Sequence, residues 1–104
     1  MTGVMLATLV VAAVLHGTVN VGPVTPVCRV GVPCAKPAAG VVLTFTRGTH
    51  AFKAKTDTRG RYVITLAAGT YAVRASTGMR ISPTQVTARA GIHLQIFAID
   101  TGIR

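Results

Sequence analysis

Thr56-Asp57-Thr58-Arg59-Gly60-Arg61-Tyr62-Val63-Ile64-Thr65-Leu66-Ala67-Ala68-Gly69-Thr70-Tyr71-Ala72-Val73 is the stretch whose reading decides the fold. Tyr62, Ile64 and Leu66 occupy one phase of a period of two, and Arg61, Val63 and Thr65 the other, which is the pattern of a half-buried strand. Ala67-Ala68-Gly69 punctuates the run, and alternation resumes with Tyr71 and Val73 inward. At the front of the stretch, Asp57 and Gly60 have the chemistry of a turn. An Asp carboxylate accepts backbone N–H bonds one or two residues on, and glycine takes the left-handed conformation that ends the turn. Asp57, one of two acids in the chain, therefore reads as a corner piece. General acid–base work would need a partner group in reach, and none is evident here.

The same alternation continues on both sides. Upstream, Val41, Leu43 and Phe45 alternate with Val42, Thr44 and Thr46, and Arg47-Gly48-Thr49 turns the chain into His50 to Thr56. There Phe52 and Ala54 point one way while Ala51, Lys53 and Lys55 point the other. The Asp57 turn is expected to pair this strand with Tyr62 to Leu66 as a hairpin. Downstream, Ser82-Pro83 precedes Thr84 to Ala88, and Ala90-Gly91 precedes His93 to Ile99, whose facing is ambiguous because both phases hold apolar residues. With Gly17 to Val21 as the first, seven strands are expected. Frequent turn signals and the lack of helical periodicity after His16 predict an all-β, seven-stranded antiparallel sandwich.

Composition bounds what such a domain can do. A chain of 104 residues is expected to form one domain with a modest core, and 50% hydrophobic residues argue against disorder. The absence of Trp and the few other aromatics leave little with which to build a stacking platform for bases or sugars. Eleven Lys and Arg against two Asp give a formal charge of +9, a surface that attracts polyanions. Nucleic acid, anionic wall polymer, acidic glycan and acidic lipid headgroups all satisfy that charge.

Val4 to Leu15 is one apolar block of twelve residues. As a helix it would rise about 18 Å, too short to span a bilayer and of the length of a signal-peptide core. Residues 1–16 are accordingly expected to be a signal peptide or apolar N-terminal helix, with a buried strand as the alternative, and residues 17–104 the domain proper. Export places the chain outside the cell, at its surface or in a periplasm. It would also make a disulfide the default state of Cys28 and Cys34, which lie in the Pro- and Gly-rich P-V-C-R-V-G-V-P-C. His16, His50 and His93 fall at no zinc-like spacing from that pair, so neither metal nor cofactor is expected.

T-D-T-R-G-R-Y-V-I-T-L-A-A-G-T-Y-A-V resembles the signature of the carboxypeptidase regulatory-like domain, a prealbumin-like or immunoglobulin-like β-sandwich. G-P-V-T-P-V-C, A-A-G-V-V-L and the closing F-A-I-D-T-G-I-R are similar to small secreted bacterial members. The resemblance implies that L-x-x-G-x-Y-x-V forms a hairpin, with Gly69 and Tyr71 making a tyrosine-corner-like contact. It implies a fold more than an activity.

Prealbumin-like folds include hydroxyisourate hydrolases, but the Y-R-G-S-type tail of those enzymes is replaced here by T-G-I-R, and Ser76 and Ser82 lack a G-x-S-x-G setting. With no Glu and Asn20 the sole Asn, a Lys-to-Asn crosslink assisted by a buried acid is not expected either. Asp100 is expected to cap the final turn or pair with an Arg. The expectation is a noncatalytic binding or structural module of an exported bacterial protein. Arg47, Lys53, Lys55, Arg59 and Arg61 are its candidate anion-binding residues, and an anionic envelope polymer or protein surface is the partner. A prealbumin-like hydrolase and a basic nucleic-acid-binding domain are the alternatives, though no nucleic-acid motif supports the second.

Overall fold

The computed structural model describes residues 12–23, 31, 34–78 and 80–102, and every regular element among them is a β-strand. There are ten: β1 (Ala12–Gly22), β2 (Lys36–Pro37), β3 (Val42–Arg47), β4 (His50–Lys55), β5 (Arg61–Ala67), β6 (Gly69–Ala75), β7 (Arg80–Ser82), β8 (Gln85–Ala88), β9 (Gly91–Leu94) and β10 (Phe97–Asp100). The expected seven become ten because β2 and β7 are too short to show a period, and because the last apolar run divides into β9 and β10.

A further correction concerns residues 12–16. They form no apolar helix but the first half of β1, a strand that runs without a break across the boundary expected after His16. Ala13, Leu15, Gly17 and Val19 face inward while Ala12, His16 and Asn20 are exposed. That alternation was embedded in the apolar block and hidden by its length. Residues 1–11 lie outside the described residues.

β1 organises the larger, six-stranded sheet. Its first half lies between β5, antiparallel, and β9, parallel; its second half lies between β2, antiparallel, and β10, parallel, with β7 beyond β10. Because β9 and β10 both run parallel to β1, the sandwich is mixed and not purely antiparallel. Gly17 marks the middle of β1, where a Cβ would stand 2.3 Å from the Gln95 carbonyl oxygen. Only glycine lets the chain between β9 and β10 come this close, and Gln95 N–H donates to the His16 carbonyl at 2.8 Å. The pairings Leu15↔His93 and Val19↔Phe97 keep one register across that gap. The ambiguous facing of the last run is thereby resolved. Phe97 and Ile99 enter the core, and the other phase, Ile92, Leu94 and Ile96, points to solvent.

The second sheet has the order β4-β3-β6-β8, all antiparallel. β3 and β4 form the expected hairpin. The chain on either side of β5, however, does not make hairpins: β4 and β6 belong to the four-stranded sheet and β5 to the six-stranded one. The Asp57 and Gly69 turns are therefore corners at which the chain changes sheet, as orthogonal and Greek-key sandwiches require. Period-two alternation reports which face of a strand is buried and is silent about which sheet receives it.

Between the layers, Phe45 of the second sheet meets Phe97 edge-on with centroids 6.0 Å apart and Tyr62 at 6.3 Å. Tyr62 and Phe97 lie 5.7 Å apart. Burying such side chains contributes roughly 1.5–3 kcal/mol each, with about 1 kcal/mol more for favourable ring pairs. Leu43, Leu66, Tyr71, Val73 and Ile81 complete the inner layer.

Candidate functional site

Lys55 is the last residue of β4, and Arg61 the first of β5, so the corner between the sheets carries cations at both ends. Thr56 roots it. The Thr56 hydroxyl, nearly fully buried, donates to the Ala38 carbonyl and accepts from Val41 N–H at 2.8 Å. From that root the chain rises into the turn. Asp57 Oδ1 accepts from Arg59 N–H at 2.8 Å and from Arg61 N–H at 2.9 Å, and Oδ2 accepts from Arg61 Nε at 3.2 Å. Gly60 N–H donates to the Asp57 carbonyl at 3.0 Å.

Gly60 holds φ at 74°, and a Cβ there would stand 2.6 Å from the Val19 carbonyl oxygen. The turn is thus pressed against β1, whose Val19 N–H donates to the Gly60 carbonyl at 2.7 Å. Hydrogen bonding from the Arg61 backbone is the main cause that holds the Asp57 carboxyl below its ordinary pKa; partial desolvation opposes it, and the Arg59 N–H and the Arg61 side chain reinforce it. All of the carboxylate contacts are intramolecular and local, which is the chemistry of a cap.

Beside this corner opens a shallow cleft of about 610 Å³. Lys55, Asp57 and Arg61 form its polar end, His16 and Thr18 of β1 part of its floor, and Val63 and Leu94 its apolar flank. Tyr62 also borders it, but its hydroxyl donates inward to the Gln95 carbonyl at 2.6 Å, and burial pushes the phenol pKa up. Tyr62 is therefore a core residue and supplies no acid or base to the cleft.

The candidate cations do not all converge. Lys53 is exposed on β4 opposite Thr44, and Arg59 is at the tip of the turn. Arg47 is engaged elsewhere: its guanidinium donates to the Ala68 carbonyl at 2.8 Å and lies 5.9 Å from the centre of the Tyr71 ring, closing the corner between β5 and β6. There the Tyr71 hydroxyl donates to the Ala67 carbonyl at 2.6 Å, the bond back to nearby backbone that defines a tyrosine corner. Lys53 and Lys55 do not face Arg61 across a ladder, since β4 and β5 are in different sheets.

His16, Thr18, Val63 and Leu94 are the cleft residues that sequence reasoning missed. The polar residues at 16, 18 and 20, alternating with Leu15, Gly17 and Val19, were the available signal.

The second acid behaves like the first. Asp100 Oδ1 accepts from Gly102 N–H at 2.8 Å, and Arg80 Nε is 3.8 Å from Oδ2. Arg104 lies outside the described residues, as does Cys28 and hence the expected bridge as a whole; Cys34 is not a free thiol. Among the described residues, no three His, Cys, Asp or Glu side chains come together as metal ligands, and no helix is long and apolar enough to cross a membrane.

No family model and no curated protein matches the sequence. Among solved structures, the chain is similar to a DUF3823 family protein from Parabacteroides merdae, with a TM-score of 0.51 and 14% identity over 85% of this chain. The similarity covers 45% of that protein, so the present chain corresponds to about half of the neighbour's length. At this identity the likeness is one of β-sandwich fold.

Proposed function

We propose that this chain is a noncatalytic binding module of an exported bacterial protein, of carboxypeptidase regulatory-like type, and that the Asp57 corner docks an anionic envelope polymer or protein surface. The observation that carries this reading is the state of the acids. Asp57 and Asp100, the only two acids against eleven Lys and Arg, are both occupied by backbone N–H groups and arginines, so the net +9 has no internal counter-charge. Lys55 and Arg59 stand at the Asp57 corner and Lys53 is exposed two residues before it on β4, and a polyanion along this segment would relieve their repulsion.

Export is supported by the apolar block at the N-terminus, and it carries the Cys28–Cys34 disulfide with it. Because Ala13 and Leu15 are buried core residues, processing is expected upstream of Ala12. Intact-mass measurement of the natively expressed protein reads both points: a mature chain beginning after His16, or two free thiols, would contradict them.

The docking test compares two triple variants of equal charge. Lys53→Glu/Lys55→Glu/Arg59→Glu is expected to elute from an anionic matrix at clearly lower salt than Arg74→Glu/Arg80→Glu/Arg89→Glu. Equal elution of the two would mean that total charge alone governs retention and that the corner has no special role.

A further inference from the structure

The outer face of the β5–β1–β9 half-sheet is the least explained surface of the molecule. Register pairs Val14 with Thr65 and Ile92, and His16 with Val63 and Leu94, so these residues form adjacent rows on one face. Val63, Ile92, Leu94 and Ile96 are 65%, 72%, 64% and 51% exposed. One phase of the final apolar run fills the core, and the other lies bare beside the cationic corner. Exposed aliphatic side chains of this density mark a contact surface.

We infer that this face, together with Lys55 and Arg61, seats the domain on an anionic lipid surface, the corner meeting headgroups while the Val63–Leu94–Ile92 rows enter the acyl boundary. The inference rests on the anion-docking reading of the corner and goes beyond it, with lipid in place of polymer or protein as the anionic surface. Three features select lipid over other occupants. The face is an open sheet that covers one side of an apolar group, so it would leave a free small ligand half wetted, whereas a bilayer surrounds the other side. Its aliphatic rows give a nucleic acid or a purely polar polymer nothing to contact. A second copy would bring another +9 chain against it. Basic residues near an anionic membrane strengthen attachment, and aliphatic burial adds to that.

The chain contains no Trp, so a single introduced indole reports one position. Leu94→Trp is expected to shift to the blue on vesicles of equimolar phosphatidylglycerol and phosphatidylcholine, and Thr87→Trp on the opposite sheet to stay unchanged. Partition to those vesicles is expected to exceed that to pure phosphatidylcholine by about tenfold or more and to fall with salt. Val63→Ser/Leu94→Ser, both exposed positions with melting checked in parallel, is expected to lose most vesicle binding while keeping its retention on soluble heparin.

Heparin retention that depends on the corner, with no blue shift at position 94 on anionic vesicles, overturns the lipid inference and leaves the docking reading standing. Loss of both removes both. Equal partition to neutral vesicles, or a blue shift that grows with protein concentration in the absence of lipid, assigns the face to uncharged surfaces or to a second copy and likewise overturns the inference.

Discussion

The chain enters and leaves the six-stranded sheet through two corners flanking β5, and they are closed by different chemistry. The Asp57 corner is held by a carboxylate accepting backbone N–H bonds and is pressed onto β1 through Gly60. The Gly69 corner is held by a neutral hydroxyl bond, Tyr71 to Ala67, and is covered by the Arg47 side chain. Rigid backbone stands behind one and a flexible side chain behind the other. The same substitution should therefore have unequal consequences at the two places.

Gly60→Ala is the strongest test of that contrast. It forces a Cβ into the left-handed region and within 2.6 Å of a backbone oxygen that cannot move without dragging β1. A loss on the order of 3 kcal/mol is expected in urea unfolding. At the other corner, Tyr71→Phe removes the hydroxyl bond and leaves a carbonyl without its donor, for about 1–2 kcal/mol. Gly69→Ala should likewise cost less than Gly60→Ala, on the order of 1–2 kcal/mol: its φ of 157° strains a side chain, but its Cβ would meet the Arg47 guanidinium, which can swing away at the expense of its bond to Ala68. Equal losses at Gly60 and Gly69 would erase the distinction between the corners.

The two corners also show what the sequence made legible. Turn chemistry is local, so Asp57 and Gly60 could be singled out as turn residues from the T-D-x-x-G spacing, and Gly69 and Tyr71 from the resemblance that L-x-x-G-x-Y-x-V carries. Inward phases were local too: Leu43 and Phe45, Tyr62 and Leu66, Tyr71 and Val73 are all buried. Phe52 shares the inward phase of Ala54 but stays 39% exposed because β4 is an edge strand.

Sheet membership was not legible, because a strand with one buried face reads identically whether the chain turns back beside it or crosses the core. Nor was β1, where an apolar block long enough for a signal-peptide core masked the alternation of Ala13, Leu15, Gly17 and Val19. The basic cluster suffered from both errors. A hairpin of β4 and β5 would put Lys53 and Lys55 on one outward face with Arg61, and a domain beginning at Gly17 omits His16 from the floor of the cleft that Lys55 and Arg61 line.

The subtlest difference between the corners is electrostatic. The Asp57 carboxyl has a folded pKa below its unfolded value of 3.8, chiefly because the Arg61 and Arg59 N–H groups bond to the charged form. A depressed folded pKa means that the ionised corner contributes its full stability above the unfolded pKa and loses it as pH falls through the folded one. The Tyr71 corner is closed by a hydroxyl bond and holds no carboxylate. Asp57→Asn keeps an Oδ1 acceptor for the two backbone donors while abolishing the titration and the ion pair, so it should fold normally. Plotted from pH 7 to 2, the difference in unfolding free energy between wild type and this variant should be flat down to about pH 4 and then shrink. The same subtraction for Tyr71→Phe should be flat throughout. The ion-pair part of the Asp57 difference is solvent-exposed and should fade with added salt, whereas the backbone-bonded part should persist. A pH dependence identical in wild type and Asp57→Asn would show that the carboxylate shapes the turn without its charge being felt, and the two corners would then be energetically of one kind.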